Sequence, residues 1–165
     1  MNLVVNASPL ILLGKVGQID LLRRLCDTVC VPEGVVGEIE MEKDDPACHA
    51  LRMHAWLKRV SVSVPDSIKA WDLGCGESQV VAYALARPQC RPLLDDAEGK
   101  ACALAFGLKP LGTGGLLVLA KRAGLLSSVH PVLRELRTQG FWISAGIIQT
   151  ILHLAGESTA PCDEA

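Results

Sequence analysis

Short apolar runs that stop abruptly at polar or turn-forming residues, each followed by a helix-forming stretch, constrain this chain most. Leu3, Val4 and Val5 stop at Asn6, and "TVCVP" stops at Pro32. "VSVSVP" alternates with the period of a strand, "RPLLDD" runs into two aspartates, and "LKPLGT" ends at a glycine and a threonine. Between them lie stretches with apolar residues at helical spacing: "GQIDLLRRL", "EGVVGEIEME", "CHALRMHAWLKR", "ESQVVAYALAR" and "AEGKACALAFG". Ser8 before Pro9 predicts a helix start, and Gly74 and Gly76 break the chain before the helix that Pro88 ends. Strands alternating with helices predict an α/β fold with a central parallel sheet of about five strands flanked by helices.

After the last strand come "GGLLVLAKRAGLL", a helix starting at Pro131 and an apolar helix around Ile147 to Leu154. No repeat, low-complexity run or linker interrupts the chain, so a single domain is expected. Its core is read as residues 1–118, and residues 119–165 as a helical C-terminal extension of the same domain with a short disordered tail.

At 165 residues the chain is long enough for one sizeable core. Half of it is apolar and only 4% aromatic, so that core must be built from Leu, Val, Ile and Ala. A net charge of −2 gives no overall attraction for a polyanion, and nucleic-acid binding would have to come from local patches or bound metal. The charges are uneven. Glu33, Glu38, Glu40, Glu42, Asp44 and Asp45 crowd one stretch, and Lys109, Lys121, Arg122, Arg134 and Arg137 another.

Seven scattered cysteines with no CxxC pair suggest neither a zinc site nor a disulfide framework. They read as small buried hydrophobes in a reducing compartment, and the N-terminus lacks the pattern of a secretion signal; a cytoplasmic protein with no membrane segment is expected.

In a parallel α/β sheet, ligands bind outside the carboxyl ends of the strands. Asn6, Asp95 and Asp96 fall there. Glu77 continues the apolar stripe of Val80, Val81 and Ala84, and Glu38 follows Val35 and adjoins Ile39, so both are expected to face inward. Carboxylates brought together repel by about 4 kcal/mol per pair at ~4 Å and an effective dielectric near 20, which a hard divalent cation with oxygen ligands offsets. Each residue also has a plainer reading. Asp96 caps the next helix, Glu77 favours a helix N-terminus, Glu38 belongs to a solvated acidic run, and Asn6 is a turn residue.

Together, "VVNASPLI", "GQIDLLRRL", "VPEGVVGEI", "GCGESQVVAYAL", "LLDDAEGKACALAFGLKPLGTGGLL" and "AKRAGLL" resemble the PIN-domain superfamily, specifically a prokaryotic subgroup related to the toxin ribonucleases of toxin–antitoxin pairs. The resemblance covers roughly residues 2–157. It implies a three-layer fold and a metal-dependent endoribonuclease in which one or two Mg²⁺ or Mn²⁺ activate water against an RNA phosphodiester, leaving a 5′-phosphate and a 3′-hydroxyl. It places Asn6 where the family usually has its first aspartate, with Ser8 at the accompanying hydroxyl, and matches Glu38, Glu77 and either Asp95 or Asp96 to the other acids. Glu38, Glu77 and Asp95 are then the expected metal ligands, with Asp96 second choice. A cognate antitoxin inserting near the acids and a homodimer are implied as partners, and the stripe Ile147, Ile148, Ile151 and Leu152 is either core or half of the dimer contact. Asn6 departs from the pattern because an amide brings no charge. The alternative is therefore a catalytically weakened PIN-like module that binds RNA or a protein without cleaving.

Substrate contacts are expected from Ser8, from Lys100, which either meets phosphate or neutralises Asp96, and from the amides of "LGTGGLL", Thr113 among them. That loop lacks the endings of a Walker A or dinucleotide motif. His49 and His54 do not share a helix face well enough for zinc. Lys121, Arg122, Arg134 and Arg137 are candidates for tracking an RNA backbone, against the plain reading of a solvated helix face.

Overall fold

The computed structural model describes residues 1–41 and 43–157. The expected C-terminal tail lies outside the described residues. Four parallel strands, β1 (Asn2–Val5), β2 (Thr28–Pro32), β3 (Leu57–Val60) and β4 (Cys90–Leu93), form a sheet in the order β3-β2-β1-β4. Helices flank it: α1 (Ala7–Lys15), α2 (Asp20–Leu25), α3 (Glu33–Met41), α4 (Pro46–Met53), α5 (Asp66–Lys69), α6 (Cys75–Ala86), α7 (Ala97–Ala105), α8 (Thr113–Arg122), α9 (His130–Thr138) and α10 (Ala145–Leu154). The parallel α/β sheet flanked by helices is the fold the alternation predicts, with four strands rather than five.

The missing strand is reduced to one parallel bridge, Leu93 with Leu111. Pro110 has no amide to donate, and the Arg91 guanidinium donates to the carbonyls of Lys109 (2.6 Å) and Pro110 (3.2 Å), taking acceptors that a longer ladder would use. The third strand is displaced. Pairing of β2 with β3 ends at Pro32 opposite Val60, and α3 begins at Glu33, so the alternating Ser61–Val64 has no neighbour to pair with. Val62 and Val64 pack on the core edge, which accounts for their period without a strand. The helix expected through Arg59 ends at Met53, and Leu57–Val60 is strand β3.

Two clusters of buried side chains fill the molecule. One is built on the sheet by Leu3, Val4, Val5, Val31, Val80, Val81, Leu93 and Leu94 with the helices around it. The other joins Leu12 and Leu21 to α8, α9 and α10 through Leu117, Leu133, Leu136, Ile151 and Leu152. Ile151 and Leu152 are thus buried core, Ile148 packs against them, and Ile147 alone in that stripe is half exposed. Glu157 closes this part: its carboxylate accepts from Lys121 Nζ (2.6 Å), Ser128 Oγ (2.8 Å), Val129 N (2.5 Å) and His130 N (3.0 Å).

Candidate metal and nuclease site

β1 ends at Val5, and the next amide, that of Asn6, donates to Leu93 O at 3.1 Å, so the carboxyl ends of β1 and β4 deliver Asn6 and Leu94-Asp95-Asp96 side by side. Helix α1 starts at Ala7, earlier than Ser8-Pro9 suggests: Asn6 occupies the N-cap position but its side chain makes no capping bond. Pro9 falls in the first turn, where a missing amide costs no helical bond. Freed from capping, Asn6 turns inward and is 4% exposed. Its Nδ2 donates to Glu77 Oε1 at 3.4 Å, while its Oδ1 is buried with no partner among the described residues.

Glu77 lies in the first turn of α6 and is half-buried, as its place on the apolar stripe predicts. Burial pushes its carboxyl above the ordinary range, the negative charges of Asp96 and then Glu38 push further, and the Asn6 amide offsets part of this. Glu38 is exposed rather than inward. Residues 35 and 39 fill the core side of α3, and Glu38 leans along the surface so that its Oε1 accepts from Gly76 N at 3.1 Å. Gly76 makes that approach possible: a Cβ there would meet Glu38 Oε1 at 2.6 Å and Val35 Cγ2 at 3.0 Å. Sequence reading took Gly76 as a chain break, whereas it belongs to α6 at the contact with α3.

The two aspartates divide their tasks. Both Asp95 oxygens are engaged by one residue, Oδ1 by Thr113 N (2.8 Å) and Oδ2 by Thr113 Oγ1 (2.6 Å), and its carbonyl accepts from Lys100 Nζ (2.9 Å). Burial raises the Asp95 carboxyl, opposed by the two Thr113 bonds and the Lys100 charge. Asp96 caps α7 with Oδ2 accepting from Gly99 N at 2.8 Å; no bond is made by its Oδ1 among the described residues. Thr113 does not face substrate as expected. It is 0% exposed and both its donors go to Asp95, so the anion at the start of α8 is the protein's own carboxylate. Lys100 likewise meets the Asp95 carbonyl rather than the Asp96 carboxylate.

A cleft of about 590 Å³ opens beside these groups, lined by Glu38, Asp95, Asp96, Lys100 and the exposed Ser8, and by Phe141 and Trp142 from the α9–α10 connection. Phe141 and Trp142 are not among the site residues the sequence suggests, although "FW" is the one pair of adjacent aromatics in a chain that is 4% aromatic.

A family model described as PIN domain matches residues 2–157. The chain belongs to the PIN-domain family. Neither curated proteins nor solved structures gave a match. PIN domains are generally metal-dependent nucleases, and the parallel sheet with acids at its carboxyl edge is the arrangement expected of one.

The donors in this PIN domain suit a hard divalent cation in kind: carboxylate oxygens of Glu38, Glu77 and Asp96, and the amide oxygen of Asn6, which lacks any other partner. Among the described residues no three His, Cys, Asp or Glu side chains stand close enough to hold an ion as placed. Glu38 and Asp96 are exposed, and Glu77 is half-buried. No helix among the described residues is long and apolar enough to cross a membrane.

Proposed function

We propose that this PIN domain is a metal-dependent endoribonuclease, the toxin of a toxin–antitoxin pair, that hydrolyses RNA phosphodiesters at the cleft beside Asn6, Glu77 and Asp96. The observation that carries the reading is the unpartnered buried Oδ1 of Asn6 next to Glu77, a carboxylate already under the negative charge of Asp96 and Glu38. Like charges near an orphan acceptor favour a bound cation.

Mg²⁺ or Mn²⁺ would be held by Glu38, Glu77 and Asp96, with Asn6 Oδ1 as neutral donor. Asp96 is preferred to Asp95 because it is the carboxylate that bears most on Glu77, and because both oxygens of Asp95 already accept from Thr113. Asp95 is then a positioning residue that fixes the start of α8 and, with Lys100, the β4–α7 connection. The bound cation supplies water activation and stabilisation of the leaving oxygen. Ser8 is exposed at the cleft, and in this reading it would meet substrate. A cognate antitoxin reaching the same cleft, a homodimer and a cytoplasmic setting belong to this reading.

The test is cleavage of single-stranded RNA with Mn²⁺, with and without chelator, by the wild type, Glu77→Gln and Asn6→Asp. Mn²⁺-dependent cleavage leaving 5′-phosphates, abolished by Glu77→Gln, supports it. A second reading follows from the neutral Asn6, which donates to Glu77 where an aspartate would bring charge: a weakened module that binds without cleaving. No wild-type cleavage, with rescue by Asn6→Asp, would select that reading.

A further inference from the structure

We propose that Trp142, with Arg134 and Arg137, forms a subsite for single-stranded RNA adjoining the acid cleft, the indole stacking on a base and the guanidiniums taking the flanking phosphates; the identity of the ligand rests on the nuclease reading. Trp142 is 94% exposed, more than any other large apolar side chain among the described residues. The backbone leading to it is tied down. Phe141 before it is buried in the second core and its amide donates to Leu136 O at 3.0 Å, while Gly140, at φ +93°, turns the chain and donates to Arg137 O at 3.1 Å. The short connection from α9 therefore leaves the indole exposed next to a buried Phe141.

The charges beside it have no ion-pair partner among the described residues. Of the four bases considered for an RNA backbone, Lys121 is paired with Glu157 at 2.6 Å and Arg122 donates to Leu154 O at 2.9 Å. Arg134 and Arg137 lie one turn apart on α9, both exposed, with no carboxylate within ion-pair distance among the described residues. Together with Trp142 they line a groove of about 480 Å³. Phe141, Trp142 and Ile143 form the wall shared by this groove and the acid cleft, so a strand leaving the acids passes over the indole. An exposed aromatic flanked by two guanidiniums matches a polynucleotide, whose bases stack without regard to sequence and whose phosphates carry the opposite charge. In a chain of net charge −2 this basic edge is a local departure.

The test uses the full chain and a labelled oligouridylate of about eight nucleotides, in EDTA so that nothing is cleaved, with fluorescence anisotropy read against salt. Trp142→Ala should weaken binding by about tenfold, or ~1.4 kcal/mol, and Trp142→Phe should stay within about threefold of wild type. Arg134→Gln with Arg137→Gln should weaken binding and lower the salt slope by about one to two. Circular dichroism should show all variants folded. Absent binding by the wild type, a folded Trp142→Ala within twofold of it, or a change confined to sedimentation, which would assign this face to a second copy, overturns the subsite. Cleavage in Mn²⁺ separates the two claims. Cleavage with Trp142→Ala binding unaltered rejects the subsite alone, and Trp142-dependent binding without cleavage rejects the nuclease and keeps the subsite.

Discussion

Asn6 donates through Nδ2 to Glu77 Oε1 at 3.4 Å and leaves its own buried Oδ1 unpartnered. An aspartate would reverse that relationship, placing a second carboxylate where an amide now relieves the first. Without metal, Asn6→Asp should lose on the order of 1–4 kcal/mol, the repulsion of two charges at ~4 Å between the dielectrics of water and a protein surface. Mn²⁺ should restore it, and calorimetry should find tighter Mn²⁺ binding than in the wild type. Equal stability of both proteins in EDTA would contradict the placement of Asn6.

Asp95 and Asp96 are separable by substitution. Asp96→Asn keeps a side chain that caps α7, so its unfolding free energy should fall within about 0.5 kcal/mol of wild type while cleavage collapses. Asp95→Asn weakens two charge-assisted bonds from Thr113 and should cost about 1.5–3 kcal/mol in urea denaturation. The opposite pattern, a silent Asp95→Asn and an unstable Asp96→Asn, would return the third ligand to Asp95.

Gly76→Ala tests the approach of α3 to α6. The new Cβ would stand 2.6 Å from Glu38 Oε1, the free end of an exposed side chain that can swing away. Folding should survive at a cost of about 1 kcal/mol, within the range of single core-edge changes, and cleavage should fall about tenfold as Glu38 leaves the site. Unchanged cleavage would remove Glu38 from the proposed ligands.

Much of this was legible before any coordinates. Asn6, Glu77, Asp95 and Asp96 are found at the strand ends and helix start where the apolar runs put them, because alternation of strand and helix fixes which edge of a parallel sheet receives them. Pairing was not legible: "VSVSVP" has the period of a strand, but only its first residue has a partner, since β2 ends at Pro32. Nor was the commitment of Thr113, because a glycine-rich helix start reads the same whether its anion is a substrate phosphate or Asp95. Periodicity does not mark Trp142, because it reports what is buried and a loop aromatic has none; only the adjacency of Phe141 and Trp142 stands out.

Glu157 gives the pH dependence of the C-terminal half. Burial alone would raise its carboxyl, but Lys121, the Val129 and His130 amides and Ser128 outweigh that and hold it down to about 2, below its ordinary 4.5. A carboxyl lowered by folding adds stability that is complete above its unfolded value and is lost as pH falls from about 4.5 toward 2. Thermal unfolding of the wild type should therefore steepen across that window, and Glu157→Gln should flatten the profile and destabilise the protein near neutrality by about 1–3 kcal/mol through its stranded donors. Parallel profiles for the two proteins would refute the role of this carboxylate.

The central claim is that carboxylates from α3, α6 and the end of β4 share one cation. A crystal of the wild-type protein soaked in Mn²⁺ and measured for anomalous scattering tests it most directly. A peak should appear bounded by Glu38, Glu77 and Asp96 with the Asn6 amide oxygen facing it; saturating Mn²⁺ with no peak there, or with Glu38 and Asp96 still apart, would refute the shared cation.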